Sequence, residues 1–308
     1  MSGPAAPGSD RRLGRRAFIT GAAAGAAALA LPMRPAGGGL NLPLALAAQP
    51  RPFRARLPVP EVLTRSDITI PIREVPVDIL PGRPTQMWTY GGSFPGPTIR
   101  RPAGHTTRVR FKHELGRKAG ELSVHLHGGH NRSSEDGQPG GLTASYSRSL
   151  YCDISAGLSA GSSGNALLLR PGRQRTYTYE GVEDGGPERA SFQWYHDHRL
   201  DRTARNIWRG LAGMWIVDDD LDASLALPHG DHDLPLMLTD RAFDRRNQLV
   251  DPFGDARRPP DDGVTGPHIL VNGAVLPYHR VGPRRYRLRL LNASNEILVE
   301  NELVAVGD

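Results

Sequence analysis

The sequence predicts an all-β fold of the sandwich or barrel type, built from short strands joined by turns. Three observations lead to this class. Gly occurs 36 times and Pro 27 times among 308 residues, a composition that favours turns over long helices. Runs of β-branched and aromatic residues recur at spacings of about 8–12 residues, with turn residues between them. Beyond the N-terminal segment, no apolar pattern of helical period is sustained.

The first 48 residues are expected to be a targeting segment rather than part of the fold. Arg15 and Arg16 precede a weakly apolar, Ala/Gly-rich run over 21–31, and residues 45–47 offer a small-x-small cleavage site. This pattern predicts export by the twin-arginine route to the periplasm or the exterior; the alternative is a disordered leader. No later run approaches the ~18 apolar residues of a membrane span, so no stable membrane insertion is expected.

Charge and cysteine content narrow the class of function. The formal net charge is +6, but the arginines are spread along the chain and form no basic stripe interleaved with aromatics. We therefore expect no binding to nucleic acid. The single cysteine, Cys152, excludes an internal disulfide framework and a multi-cysteine zinc site. It has no neighbouring histidine and is expected to be a half-buried free thiol, so any metal must be held mainly by histidine and carboxylate.

The strands of the first predicted domain, residues 60–220, follow from alternation and turn residues. Strands are predicted, in chain order, over 67–72, 75–79, 86–90, 107–111, 122–127, 176–179, 192–196 and 210–217. A turn is predicted at 94–97, and loops are predicted over 131–149, 155–165 and 184–188. The four tryptophans are expected to fill the core rather than to carry electrons.

A second β-domain is predicted after a linker at 221–233, which contains Pro228 and Gly230. Residues 234–308 are assigned to this domain, with strands over 234–238, 269–271 and 284–291. Two domains of ordinary size are compatible with the length of the chain.

Two His-x-His pairs are the candidate functional residues: His125 with His127, and His196 with His198. A strand places residues i and i+2 on the same face, so each pair directs two imidazoles to one side. If the two strands are neighbours, four neutral nitrogens converge, and this donor set suits copper or another imidazole-binding metal. Taken alone, either pair would more often be ordinary surface histidines on a strand than a metal site.

The surrounding motifs resemble those of the multicopper oxidase family, which is built from consecutive cupredoxin barrels. The segments that carry the resemblance are WTYGGSFPGPTI at 88–99, VHLHGG at 124–129, WYHDH at 194–198, GLAG within 206–217, LVNG at 270–273 and YRLRLLNASN at 286–295. They occur in the family's order and are most similar to the spore-coat laccase and bilirubin oxidase branch. The resemblance implies a cupredoxin-like Greek-key barrel or sandwich, with one complete domain plus part of a second.

The resemblance also implies roles for individual residues. His125 would bind a type 2 copper, and His127, His196 and His198 would bind the paired type 3 coppers. Asp136 fits the position of an acidic residue that assists proton delivery, with Glu135 as the neighbouring alternative. The implied reaction couples one-electron oxidation of a phenol, a pigment or a metal ion to the reduction of dioxygen to water. Dioxygen and a small electron donor would then be the partners.

The sequence departs from the family in one respect. The family's last cupredoxin domain supplies the other histidines of the trinuclear cluster and a type 1 copper site, and those motifs do not occur here. The chain is therefore expected to be truncated, to hold half of the cluster's ligands, and to be inactive alone. A homo-oligomer or a complementing chain could supply the rest. The alternatives are a non-enzymatic, exported cupredoxin-barrel structural protein and an inactive fragment. The four retained histidines argue against the structural alternative, because such relatives replace them.

Overall fold

A computed structural model describes residues 47–137, 167–254 and 264–296, which belong to one compact unit. Nearly all of the targeting segment, Cys152, the predicted loop at 155–165 and most of the loop at 131–149 lie outside these residues. Strands are the predominant regular secondary structure of the described residues, which confirms the all-β class. The domain boundaries proposed at 60–220, 221–233 and 234–308 stay a prediction.

Strands account for most of the regular secondary structure in the described residues. They are β1 (Val62–Leu63), β2 (Asp67–Val77), β3 (Thr85–Tyr90), β4 (Gly96–Pro102), β5 (Thr107–His113), β6 (Val124–His127), β7 (Gln174–Tyr179), β8 (Val182–Glu183), β9 (Gly186–Pro187), β10 (Ser191–Asp197), β11 (Ala212–Asp218), β12 (Asp233–Arg241), β13 (His268–Val271), β14 (Ala274–Val275) and β15 (Arg287–Asn292). Among the described residues, the helices are α1 (Thr203–Arg209) and α2 (Asp220–Ser224), and single 3₁₀ turns occur at Arg117–Ala119 and Gly230–His232.

Two sheets enclose the core of the first sandwich. One has five strands in the order β1-β4-β11-β10-β6, and the other has four in the order β3-β2-β5-β7. Alternating burial along the strands shows which face of each sheet packs inward. In β2, Ile68, Ile70 and Ile72 are buried, while the residues between them are more exposed. These isoleucines pack with Tyr195 and Trp215 of the other sheet in one apolar cluster.

The second sheet system packs against the first sandwich. Its four strands have the order β14-β13-β12-β15, with β12 antiparallel to β13 and parallel to β15. A separate apolar cluster joins Met237 and Leu270 of this sheet to Met87, Phe94 and Met214 of the first sandwich. Packed side chains therefore fix the position of the second sheet relative to the first sandwich.

Helix α1 and strand β4 are among the elements that differ from the sequence-based expectation. Helix α1 lies where no helix was expected, because a seven-residue helix is too short to produce a sustained helical period. It is held by burial of Asn206, Ile207 and Trp208, and it ends at Gly210, which has a φ of 120°. The predicted turn at 94–97 is also shorter than expected. Strand β4 already begins at Gly96 and tolerates Pro97 near its start, where proline is compatible with a strand.

Candidate metal centre

The two histidine pairs lie on neighbouring antiparallel strands. In the register of β6 and β10, His196 is opposite His125, and Trp194 is opposite His127. Val124 and Leu126 of β6 point into the core, so the histidines between them must face the other side of the sheet. The adjacency on which the sequence-based hypothesis depended is thus present.

All four predicted histidines come together at one place. Ring centroids of His125 lie 5.5 Å from His127, 5.4 Å from His196 and 5.1 Å from His198. The His196 ring lies 5.8 Å from that of His127 and 5.5 Å from that of His198. One ligand nitrogen from each of His125, His127 and His196 falls within 4.8 Å of the others, a span that suits ligands of one ion or of adjacent ions.

Burial keeps most of these rings neutral. Burial, with smaller contributions from the neighbouring rings of His125, His198 and His127, lowers the pKa of His196 to about 3. Burial also lowers the pKa of His127 and of His198, and the charge interaction with the nearby His125 adds to this lowering. The pKa of His125 is raised, because its hydrogen bonds and charge interaction with Asp136 together outweigh the burial that would lower it. Neutral imidazole is the form that binds metals.

The hydrogen bonds of the rings leave nitrogens free for a metal. His125 Nδ1 lies 2.5 Å from the carbonyl oxygen of Asp136, and His196 Nδ1 lies 2.9 Å from the carbonyl oxygen of Asp197. Such bonds fix the ring orientation and direct Nε2 into the cluster. Within the described residues, His196 Nε2 and His198 Nδ1 are buried without a hydrogen-bond partner. An unsatisfied buried group costs about 1–3 kcal/mol, so these residues fit a bound metal, and imidazole donors suit copper.

The structure distinguishes the two acidic candidates that follow β6. The carboxylate of Asp136 lies 3.4 Å from His125 Nδ1 and is largely buried. Glu135 turns away and accepts a hydrogen bond from the backbone N–H of Thr178 at 2.9 Å. Of these two acidic residues, Asp136 is therefore the one that contacts a histidine of the cluster.

Gly137 is a contributor that the sequence reasoning did not identify. Its φ is 66°, and a Cβ at this position would lie 1.9 Å from the carbonyl oxygen of Val124. Glycine therefore allows the loop that carries Asp136 to lie directly on β6.

Trp194 lies against the histidine cluster and is not only a core residue. Its ring stacks on His196 at 4.0 Å between centroids and lies 5.5 Å from the ring of His127. Strand alternation could have revealed this position, because Trp194 and His196 are two residues apart on β10. Trp208 and Trp215 are buried as expected, whereas Trp88 is partly buried.

Asp197, the middle residue of the second pair, connects the two strands. Its Oδ1 accepts a hydrogen bond from Ser123 N at 2.9 Å, and its Oδ2 accepts one from Asn206 Nδ2 at 2.7 Å. In addition, His198 N donates to the carbonyl oxygen of Ser123 at 2.7 Å. Burial raises the pKa of Asp197 to about 6, and these hydrogen bonds oppose that rise. Asp197 is therefore a clamp between the histidine strands.

Fold and site together define an all-β protein with a cluster of histidines that could hold a metal, and comparison with known proteins specifies the class. Residues 72–147 match the family described as Multicopper oxidase. The laccase of Bacillus stratosphericus is 35% identical over 238 residues, which cover 69% of this chain and 42% of that protein. Cell division protein FtsP of Escherichia coli (strain K12) is 28% identical over 292 residues, covering 92% of this chain and 50% of that protein.

Structural comparison gives the same result. The crystal structure of laccase from Pediococcus acidilactici superimposes with a TM-score of 0.62 and 30% identity, over 84% of this chain and 49% of that one. The chain belongs to the multicopper oxidase family, and its fold is cupredoxin-like, as the motifs predicted. It spans about half the length of the relatives it matches. In the part of the chain that the structure covers, no helix has the length and apolarity needed to cross a membrane.

Proposed function

We propose that this chain provides half of the copper cluster of a laccase-like oxidoreductase. The observation that carries the proposal is the convergence of four imidazoles on neighbouring strands, with buried ring nitrogens that lack partners. In this proposal His125 binds a type 2 copper, and His127, His196 and His198 bind type 3 coppers. The bound copper would supply the electron transfer by which oxidation of a phenol, a pigment or a metal ion is coupled to reduction of dioxygen.

The protein's own residues prepare the centre. The Asp136 carbonyl holds the ring of His125 in one orientation, and the Asp136 carboxylate stands close enough to pass protons at its Oδ1 into the centre. The indole of Trp194 stacks on the rings of both His127 and His196 and packs against one side of the cluster. The low pKa of His196 keeps that imidazole in its ligand form across the physiological pH range.

The complete reaction requires ligands beyond these four. We propose that the remaining histidines and the type 1 copper come from further polypeptide, from a second copy or from a complementing chain, and that the isolated chain does not complete the reaction. This is consistent with a chain that spans about half the length of its relatives. We also propose that residues 1–48 direct export by the twin-arginine route. Replacing Arg15 and Arg16 by lysine should then abolish export of a fused, folded reporter.

A second candidate function is a structural role without copper. The observation that favours it is the match to cell division protein FtsP, which extends over 92% of this chain, whereas the match to the laccase of Bacillus stratosphericus covers 69%. The four converging histidines favour the first candidate, because a structural role does not require them.

Copper counting separates the two candidates. The purified chain is dialysed against Cu(II), freed of loose metal, and analysed for copper content and for its electron paramagnetic resonance spectrum. The copper proposal predicts bound copper that is lost in His196→Ala and retained in His279→Ala, since His279 is an exposed histidine outside the cluster. A wild-type chain without copper, or one that loses copper equally in both variants, would contradict it. Dioxygen uptake with a phenol is expected only after the missing ligands are supplied.

A further inference from the structure

Arg241, at the end of β12, is buried, and its charge is only partly compensated by the neighbouring Asp240. Its side chain is fully enclosed, and within the described part of the chain it forms no ion pair. Nη1 donates to the carbonyl oxygen of Asp240 at 2.6 Å, and the guanidinium lies against the rings of Phe94 and Trp208 at 5.3 and 5.2 Å. Burying a charge in this way is unfavourable, and an apolar residue of similar size would often be at least as stable. Stability alone therefore does not account for an arginine here.

The other end of the guanidinium holds helix α1. Arg241 Nη2 donates a 2.8 Å hydrogen bond to the carbonyl oxygen of Ile207, in the last turn of α1. The same carbonyl oxygen also accepts a hydrogen bond from Gly210 N at 3.0 Å, so Arg241 adds a second donor at the end of a seven-residue helix, which has little stability of its own. Trp208 Nε1 also donates to Val250 O at 2.9 Å, and Arg205 donates to Gly254 O at 2.8 Å. The position of α1 is thus set by residues that follow the first sandwich.

Helix α1 in turn contacts the metal centre. Asn206 is buried next to Ile207 in the same helix, and its amide donates to Asp197 Oδ2 at 2.7 Å. Asp197 lies between two of the candidate ligands and accepts a hydrogen bond from Ser123, two residues before His125. A continuous chain of direct contacts therefore runs from Arg241 through α1 to both histidine strands.

We infer that Arg241 is a positioning residue for the histidine cluster. By fixing the last turn of α1, it places Asn206, and Asn206 holds Asp197 in the orientation that clamps the two strands at their working separation. Arg241 touches no candidate ligand and acts only through these intermediates. The inference rests on the proposed function, since it assigns the second sheet a part in setting the geometry of the proposed copper site.

The test compares four variants of the full chain. Arg241→Met keeps the size of the side chain but removes its donors, and Arg241→Lys restores a donor. Asn206→Leu removes the next link, and Arg289→Met is the matched control, because Arg289 is a buried arginine of the same sheet that is instead paired with Asp233 at 2.7 Å. Cu(II) affinity is measured by competition with a chromophoric chelator, together with the paramagnetic resonance spectrum of the bound copper and the Tm.

Positioning predicts a specific pattern. Cu(II) affinity should fall about 10- to 100-fold in Asn206→Leu and about 3- to 10-fold in Arg241→Met, with changed copper hyperfine splitting in both. Arg241→Lys should recover part of the affinity and the wild-type spectrum. Arg289→Met should lower the Tm and leave copper affinity unchanged. If Arg241→Met does not fold, Arg241→Lys is compared with Arg289→Met: a residual loss of Cu(II) affinity in Arg241→Lys alone supports the inference, and wild-type affinity in both variants overturns it.

The outcomes also separate this inference from the proposed function. If the wild-type chain binds copper and Arg241→Met binds it with the same affinity and spectrum, the inference is wrong and the proposed function stands. If the wild-type chain binds no copper, the proposed function is wrong, and amide hydrogen exchange of the metal-free protein decides the inference. Faster exchange at the amides of Ser123 and His198 in Arg241→Met supports it, and unchanged exchange overturns it.

Discussion

The adjacent residues His196 and Asp197 should give the metal-free protein two opposite pH dependences of stability. Burial lowers the pKa of His196 from 6.5 to about 3, so the folded state excludes a proton that the unfolded state binds below pH 6.5. Stability from this group is complete above pH 6.5 and is lost as the pH falls towards 3. At about 1.4 kcal/mol per pKa unit, the full loss is about 5 kcal/mol, of which about 2 kcal/mol falls between pH 7 and pH 5.

Asp197 acts in the other direction. Burial raises its pKa from 3.8 to about 6, so the folded state binds a proton more readily than the unfolded state. The buried carboxylate therefore lowers stability above pH 6, and this penalty disappears as the pH falls towards 3.8. Between pH 7 and pH 5 the relief is about 1 kcal/mol. It offsets part of the loss from His196.

Urea unfolding at pH 7, 6 and 5, with a chelator present, measures both effects. His196→Gln should lose about 2 kcal/mol less stability than the wild type between pH 7 and pH 5. Asp197→Asn should lose about 1 kcal/mol more than the wild type over the same interval. If the stability of all three proteins changes in parallel with pH, the burial of these two groups does not govern the acid response, and the reasoning fails.

Three further substitutions test the packing around the cluster. Gly137→Ala should displace the loop, because its Cβ would lie 1.9 Å from the Val124 carbonyl oxygen, and should weaken copper binding about 10-fold in a chelator competition. Trp194→Phe should remove most of the fluorescence quenching that Cu(II) causes in the wild type, since this indole stacks on a candidate ligand. Gly213→Ala should lower the free energy of unfolding by about 2 kcal/mol or more, because its Cβ would lie 2.3 Å from the ring of Tyr195.

Controls for these substitutions come from the same chain. Gly116→Ala places a Cβ in open space and should change stability by less than about 0.5 kcal/mol in the same denaturation assay. Equal losses in Gly116→Ala and Gly213→Ala would show that contact with Tyr195 is not the cause. Trp208→Phe controls for the loss of an indole away from the cluster, and quenching that falls equally in both tryptophan variants would contradict the assignment of Trp194 to the site.

The sequence predicts the strands and the candidate ligands better than it predicts what holds them. Alternation within β6 and β10 is a local property, so the shared face of each histidine pair follows from spacing alone. No local pattern shows which strands are neighbours. The expectation that both pairs share one site therefore came from the resemblance to known motifs. The contacts of Asp197 with Ser123 and Asn206 depend on how distant segments pack. Helix α1 could not be predicted, because seven residues are too few to show a helical period in the pattern of apolar side chains.

Strand β6 is the terminal strand in the order of the five-stranded sheet, with β10 as its neighbour there. The cluster therefore stands at a margin of the sandwich, where another ligand-bearing surface can approach without breaking existing strand pairs. Because strand pairing and the hydrogen bonds of Asp197 hold both histidine pairs, the separation of the four imidazoles is set by the described backbone before any ion binds.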